Sequence, residues 1–340
     1  MMSVSASNAQ TDLSQRLNSA KLLATHGQCG TTSSLVEEAL KGHKAAQLRN
    51  DDIETLIWLI QYCYSGHSRL TRLEKLRALI AQNTTLASAN GADLFAAELS
   101  LALQDHDEFL RLTTTLTENT HGNFRERARS LLSIREKLAS PHFPDYRREI
   151  IFGIGLSRTG TSSLNSALKE LGFWSIHWAN PHTKELIQWH DFFLFDGFTD
   201  ISVAYQFETL YYAFPNSQFV YTNRDLDSWV HSVSTHYERR HGITKPSDLS
   251  SKVFQHRLNF SAGWIEQSLY AQHVSWADSY IEFDRRVRAF FDDKPPGRFM
   301  ELRICQGDEW QKLCAFLGKD VPTTDFPHKH KARISTQSMS

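Results

Sequence analysis

The chain has 340 residues, and its 37 lysines and arginines against 38 aspartates and glutamates leave a net charge of −1. No global field draws such a chain to nucleic acid or to an anionic membrane, so any anion recognition must be local. Its length suffices for two domains with a sizeable core, and its four cysteines, Cys29, Cys63, Cys305 and Cys314, lack the C-x-x-C pairing of a zinc site or disulfide framework and read as reduced thiols.

Met1 to Thr11 holds no basic stretch followed by an apolar one, and no apolar run reaches the ~18 residues of a membrane span. The expectation is a cytoplasmic protein without a membrane partner, with residues 1–32 a flexible segment. From Ser33 to Leu138 apolar residues recur at helical spacing, as in Leu56-Ile57, Leu59-Ile60 and Leu94-Phe95, with no strand-like runs. Glu54–Asn83 and Asp93–Asn119 each read as helix, short turn, helix, a period of about 36–38 residues that fits helical hairpins. An all-α domain over 33–140, a short helical repeat or a bundle, is expected.

Pro141 and Pro144 then break the periodicity, and 141–149 reads as a linker. Beyond it strands are expected at Ile150–Gly155, Phe173–His177, Phe192–Phe195, Gln218–Thr222 and Arg298–Leu302. Helices are expected near Ser162–Leu171, Thr183–Trp189, Tyr205–Ala213, Leu226–Arg240, Leu249–Gln272, Trp276–Phe291 and Asp308–Leu317. Strand–helix alternation implies an α/β domain over 150–333, with a mostly parallel sheet, helices on both faces and ligands at the carboxyl ends of the strands. Residues 334–340 form a tail.

The first strand–loop–helix unit has the grammar of an anion cradle. A helix N-terminus offers unpartnered N–H groups and about half a positive charge. Gly155-Leu156-Ser157-Arg158-Thr159-Gly160-Thr161-Ser162 nearly fits G-x-x-x-x-G-K-[ST], but Thr161 stands where a triphosphate-binding loop has its lysine. Arg158, Thr159, Gly160, Thr161, Ser162 and Ser163 supply a guanidinium, hydroxyls and a close backbone with no carboxylate among them. A Ser/Thr-capped helix after a core strand is the bland alternative, and it leaves Arg158 unexplained.

The fourth expected strand leads into Asn223-Arg224-Asp225 and a helix carrying Ser232, eight residues after Arg224. A strand end and the second turn of the next helix can thus converge on one anion. Alternatively, Asp225 and Asp227 are helix caps and Arg224 their ion-pair partner.

Together these segments resemble sulfotransferases that use 3′-phosphoadenosine 5′-phosphosulfate, and in particular a mainly bacterial branch. Arg158–Ser163 is similar to the family's 5′-phosphosulfate loop, with arginine in place of lysine, and Arg224 and Ser232 match its 3′-phosphate-binding pair. Trp310-Gln311-Lys312-Leu313-Cys314-Ala315-Phe316-Leu317-Gly318 is similar to that branch's closing segment. The resemblance implies a P-loop-like five-stranded parallel sheet. It also implies in-line attack of a hydroxyl or amine on sulfur, with adenosine 3′,5′-bisphosphate leaving and no metal required.

Cytosolic relatives carry their general base, a histidine, where this chain has Asp200 in Phe198-Thr199-Asp200-Ile201-Ser202. A carboxylate serves there if burial raises its pKa or the proton leaves late; otherwise Asp200 is a turn residue. His177, after the second expected strand, is the rival, with His182 beside it and Asp196 a further carboxylate nearby. Lys331 and Arg333, in a basic tail, are candidates to close the 3′-phosphate site, or are simply solvated. The aromatic stretch from Trp174 to Tyr212 suits an acceptor pocket or a core. Two other readings stay open: a P-loop kinase of small molecules or nucleotides, and a non-catalytic nucleotide-binding scaffold whose helical half binds a protein partner.

Overall fold

The computed structural model describes residues 2–25, 29–41, 48–64, 66–82, 91–114, 116, 124–250 and 263–329. The chain divides into two units. One holds Met1–Asp145 with Ala179–Leu194 and Leu249–Trp264, and the other holds Tyr146–Trp178, Phe195–Asp248 and Ile265–Ser340.

The first unit is helical: α1 (Met2–Thr25), α2 (Cys29–Ala39), α3 (Asn50–Cys63), α4 (Gly66–Gln82), α5 (Gly91–Ala102), α6 (His106–Leu112) and α7 (Phe124–Leu138). Helix α1 replaces the flexible segment expected over 1–32. Leu13, Leu17, Ala20 and Ala24 recur on one face and are buried, and α1 packs on α2 and α3, so tertiary burial fixes a helix of weak intrinsic pattern. The pairs α3/α4 and α5/α6 are the two expected hairpins. Their starts are set locally: the Asp52 carboxylate accepts from Arg49 N at 3.0 Å, and Asp105 accepts from Glu108 N at 3.2 Å.

Ala179–Leu194 belongs to this unit, and here two expectations fail. No helix forms over Thr183–Trp189, and Phe192–Phe195 is no strand; instead an isolated bridge joins Ala179 to Leu186 and a 3₁₀ turn spans Trp189–Phe193. Asn180 accepts from His182 N at 2.8 Å and donates to Asp191 Oδ1 at 2.8 Å, while Asp191 Oδ2 accepts from Gln188 N at 2.8 Å. Side chains that satisfy the backbone in this way compete with helix. Phe192–Phe195 is buried as expected, but a buried apolar run does not by itself specify a strand.

One buried polar network ties this unit together. Glu98, only 1% exposed, accepts from Arg127 Nε at 3.0 Å and lies 2.8 Å from His182 Nδ1, whose Nε2 is 2.8 Å from Ser130 Oγ. Burial alone would raise the Glu98 pKa, but the His182 hydrogen bond and the His182 and Arg127 charges outweigh it, and the net shift is downward.

The second unit is the expected α/β fold. Five strands, β1 (Ile151–Gly153), β2 (Ser175–His177), β3 (Gly197–Thr199), β4 (Gln218–Thr222) and β5 (Phe299–Leu302), form one sheet in the order β2-β3-β1-β4-β5, with every pair parallel. Ile151 pairs with Gly197 on one side and Gln218 on the other. Alternation sends Phe152, Phe198 and Phe219 to one face, with ring centroids 5.8 and 5.3 Å from Phe152. Ile151, Val220 and Leu302 face the other way, against Leu164, Leu168, Trp310 and Leu313. Both faces are thus buried by helices, as a parallel sheet requires.

Helices α8 (Thr161–Glu170), α9 (Ile201–Ala204), α10 (Phe207–Ala213), α11 (Leu226–His241), α13 (Trp276–Phe291) and α14 (Trp310–Leu317) cover or flank the sheet, and α12 (Gly263–Glu266) begins in the first unit and ends in this one. Expected helix Tyr205–Ala213 forms as α10 from Phe207 on, and a separate short helix, α9, precedes it. Of the expected Leu249–Gln272 helix, Leu249 and Ser250 end a 3₁₀ turn, 251–262 lie outside the described residues, and the rest is α12 running into a π turn over Gln267–Ala271. After β1 the chain moves out to β2 and β3, then crosses to β4. The strand order therefore reverses between β1 and β4, where ligands bind in open α/β sheets.

Candidate active site

The loop after β1 is built around close backbone approach. A Cβ on Gly155 would stand 1.8 Å from Thr222 Oγ1 and 2.6 Å from the Thr222 carbonyl, so only glycine lets the loop lie against β4. Thr159, 1% exposed, hydrogen-bonds Leu156 O at 2.7 Å and Thr222 Oγ1 at 2.8 Å. Its side chain therefore fastens the loop to β4 rather than facing a ligand. Arg158 and Gly160 take left-handed conformations, with φ of 73° and 106°, and for arginine that is a strained choice of the kind found at binding sites. Ser157 is held from both sides: its N–H donates to the Tyr270 hydroxyl at 3.3 Å and its carbonyl accepts from Trp229 Nε1 at 2.9 Å.

Arg158 lies between Ser232 and Arg224. Arg158 Nε donates to Ser232 Oγ at 3.2 Å, Arg224 Nη1 donates to the Arg158 carbonyl at 3.3 Å, and Arg224 Nε donates to Ser228 Oγ at 2.8 Å. The Tyr280 hydroxyl accepts from Arg224 N at 3.0 Å and fixes the turn. Burial, then the Arg224 charge, lowers the Arg158 pKa from its usual value, although a guanidinium stays charged. Two like charges are thus held together at a helix N-terminus. They border a cavity of about 920 Å³ into which Gly160, Thr161, Ser162 and Ser163 also face.

At the neighbouring strand ends, Asp200 closes β3 with φ of 92°. Its Oδ1 accepts from Ile201 N at 2.8 Å, and its Oδ2 lies 3.2 Å from His177 Nε2 at the end of β2. His177 Nε2 is also 3.1 Å from Ser162 Oγ, and its Nδ1 is 2.9 Å from Thr199 Oγ1. The carboxyl ends of β2 and β3 and the N-terminus of α8 therefore share one hydrogen-bonded set.

Residues 150–334 match the family model of the sulfotransferase domain. The chain belongs to the sulfotransferase domain family. It is also 26% identical over 213 residues to the Ava biosynthesis cluster protein M of Aspergillus versicolor, a similarity spanning 52% of this chain and 78% of that protein.

Other candidates within or near the sulfotransferase domain sort themselves by position. Asp196 precedes β3, at the opposite end from the cavity, and binds Arg148 at 2.8 Å and Trp174 N at 3.1 Å. His182 is spent in the helical unit's buried network. Lys331 and Arg333 lie outside the described residues, but Lys329 lines the cavity and its N–H donates to Ser163 Oγ at 2.9 Å. The Trp174–Tyr212 aromatics are mostly core: Phe192, Phe195, Phe198 and Phe207 are fully buried. Among the described residues no helix is long and apolar enough to cross a membrane.

Glu266 and Tyr270 are not marked by any motif in the sequence. The π turn widens the helix so that both point inward, and such turns recur at functional sites. Glu266 Oε1 accepts from the Tyr237 hydroxyl at 2.8 Å, and its buried Oε2 has no partner among the described residues. Burial pushes the Glu266 pKa up to about 7; Tyr237 and Arg240 pull against the rise, and the charge of Asp200 adds to it. The only sequence signal was an acidic residue inside a long amphipathic run.

Proposed function

We propose that the α/β unit moves a sulfuryl group from 3′-phosphoadenosine 5′-phosphosulfate to a hydroxyl or amine acceptor by in-line displacement. The observation that carries this reading is the Arg158–Arg224 pair. Two guanidiniums and Ser232 converge at a helix N-terminus with no carboxylate within ion-pair distance among the described residues, an arrangement that an anion with separated phosphoryl and sulfuryl groups would neutralise. Thr161, which occupies the triphosphate-loop lysine position, is a buried first-turn residue, and this argues against ATP as the ligand.

In the reaction the acceptor oxygen or nitrogen bonds to sulfur while the bond from sulfur to the bridging oxygen breaks. The electron pair leaves on the 5′-phosphate. Arg158 and the N–H groups opening α8 stabilise that growing negative charge, the step at which such catalysis acts. The acceptor's proton passes to the His177–Asp200 pair, whose Nε2 and Oδ2 are 3.2 Å apart. Ser162, hydrogen-bonded to His177, links this pair to the donor loop.

Transfer of label from the phosphosulfate donor to a panel of acceptors tests the reading. Asp200→Asn and His177→Gln should each lower turnover by ~10²–10⁴-fold while leaving stabilisation by adenosine 3′,5′-bisphosphate intact. Full turnover in both variants would refute the proton route. Stabilisation by ATP–Mg²⁺ but not by the bisphosphate would refute the donor.

A further inference from the structure

Ten arginines of the α/β unit fall into two sets, leaving aside Arg147 and Arg333. Arg148, Arg285, Arg286, Arg288 and Arg303 all bind carboxylates, and Arg298 is consumed by the backbone carbonyls of Tyr211, Phe214 and Ser217. Arg158, Arg224, Arg239 and Arg240 have no carboxylate within ion-pair distance among the described residues, and all four line the same cavity. The cavity's single acidic residue, Glu309, lies 3.2 Å from His328 Nε2. Unpaired guanidiniums gathered around one space are an anion-binding surface.

The donor accounts for half of them. Arg158 reaches Ser232 and Arg224 reaches the Arg158 carbonyl, so on that reading the donor's phosphosulfate and 3′-phosphate bind at that end. Arg239 and Arg240 sit seven and eight residues further along α11, which places them about 10–12 Å away along the helix axis. Thr235 and His236, between them and Ser232, line the same cavity, so the surface runs on without a break. Cations also favour the last turn of a helix because of its dipole, but that preference does not put them on the wall of this cavity. The Arg239–Arg240 end therefore extends the cavity beyond the residues assigned to the donor.

We propose that Arg239 and Arg240, with His236, form an acceptor subsite for an acidic group, so that the sulfuryl acceptor is a molecule carrying a carboxylate or a phosphate rather than a neutral sterol, lipid or phenol. The inference rests on the donor assignment above. The two arginines bind the acceptor's anionic group at a distance from the reacting oxygen, which orients it toward the sulfuryl group.

The test is calorimetry on the full chain saturated with adenosine 3′,5′-bisphosphate, using inorganic pyrophosphate and succinate as separate probes. At least one should bind the complex, and whichever binds more tightly tells phosphate from carboxylate. An Arg239→Ser/Arg240→Ser double variant should weaken that probe ~10–100-fold while changing bisphosphate affinity less than ~3-fold. Both residues are exposed, so the variant should melt as the parent does. The inference is overturned if neither probe binds, if the variant binds the probe unchanged, or if bisphosphate affinity falls as far as probe affinity, which would give these arginines to the donor. Failure of the bisphosphate to bind the parent protein would instead sink the donor reading, and this inference with it.

Discussion

The two units treat their charges in opposite ways. In the helical unit the buried Glu98 carboxylate is answered on every side, by Arg127, by His182 and through His182 by Ser130. In the α/β unit four arginines around one cavity have no carboxylate partner among the described residues. A charge buried with partners holds a structure together, whereas charges gathered without partners keep a place for a ligand. The contrast separates residues that serve folding from residues that serve binding, even where the two lie close in sequence, as His177 and His182 do.

The contrast can be broken at its strongest point first. Arg127→Met should remove a partner of the buried Glu98 and destabilise the protein by about 3–5 kcal/mol, seen as a lower urea midpoint. A shift below ~1 kcal/mol would mean that the network is not structural. Glu266 is the mirror case within the α/β unit, a buried carboxylate with one oxygen unanswered. Its folded pKa of about 7 exceeds the ordinary 4.5, so the folded state binds more protons between those values and stability falls as pH rises through that window. Glu266→Gln should abolish this loss. Its advantage should grow from pH 4.5 to 7 and level off above, reaching up to about 3 kcal/mol, as pH-dependent melts would show.

Arg158→Ala should invert the Arg127 result. Affinity for adenosine 3′,5′-bisphosphate should fall ~10–100-fold, while the urea midpoint stays within ~0.5 kcal/mol of the parent because no ion pair is lost. Thr159→Val gives the smallest effect. With its hydroxyl bonded to Leu156 and Thr222, the change should cost about 1 kcal/mol of stability and leave nucleotide affinity unchanged.

What the sequence discloses follows the same line. Strands β1, β2, β4 and β5 are legible because each is an apolar run ended by turn residues, and α13 matches its expected bounds because Ser275 and Asp278 form a capping box. The loop after β1 is legible because strand, glycines and helix start are contiguous. β3 is misplaced because the apolar Phe192–Phe195 run outweighs Gly197-Phe198-Thr199, a strand of three residues opened by glycine. The Asp200–His177 contact depends on β2 and β3 being neighbours, and Glu266 on a π turn. Arg239 and Arg240 look like ordinary helix-end cations until the cavity shows what they border. Contacts made within one turn can be read from the chain; those that need strand order or a cavity wall cannot.

The central claim is that the unanswered guanidiniums hold a nucleotide bearing both 5′- and 3′-phosphates. Calorimetric titration with adenosine 3′,5′-bisphosphate and with adenosine 5′-phosphate tests it directly. The bisphosphate should bind at least ~10-fold more tightly, and Arg224→Ala should erase that difference. Equal affinity for the two nucleotides in the parent protein would contradict the account.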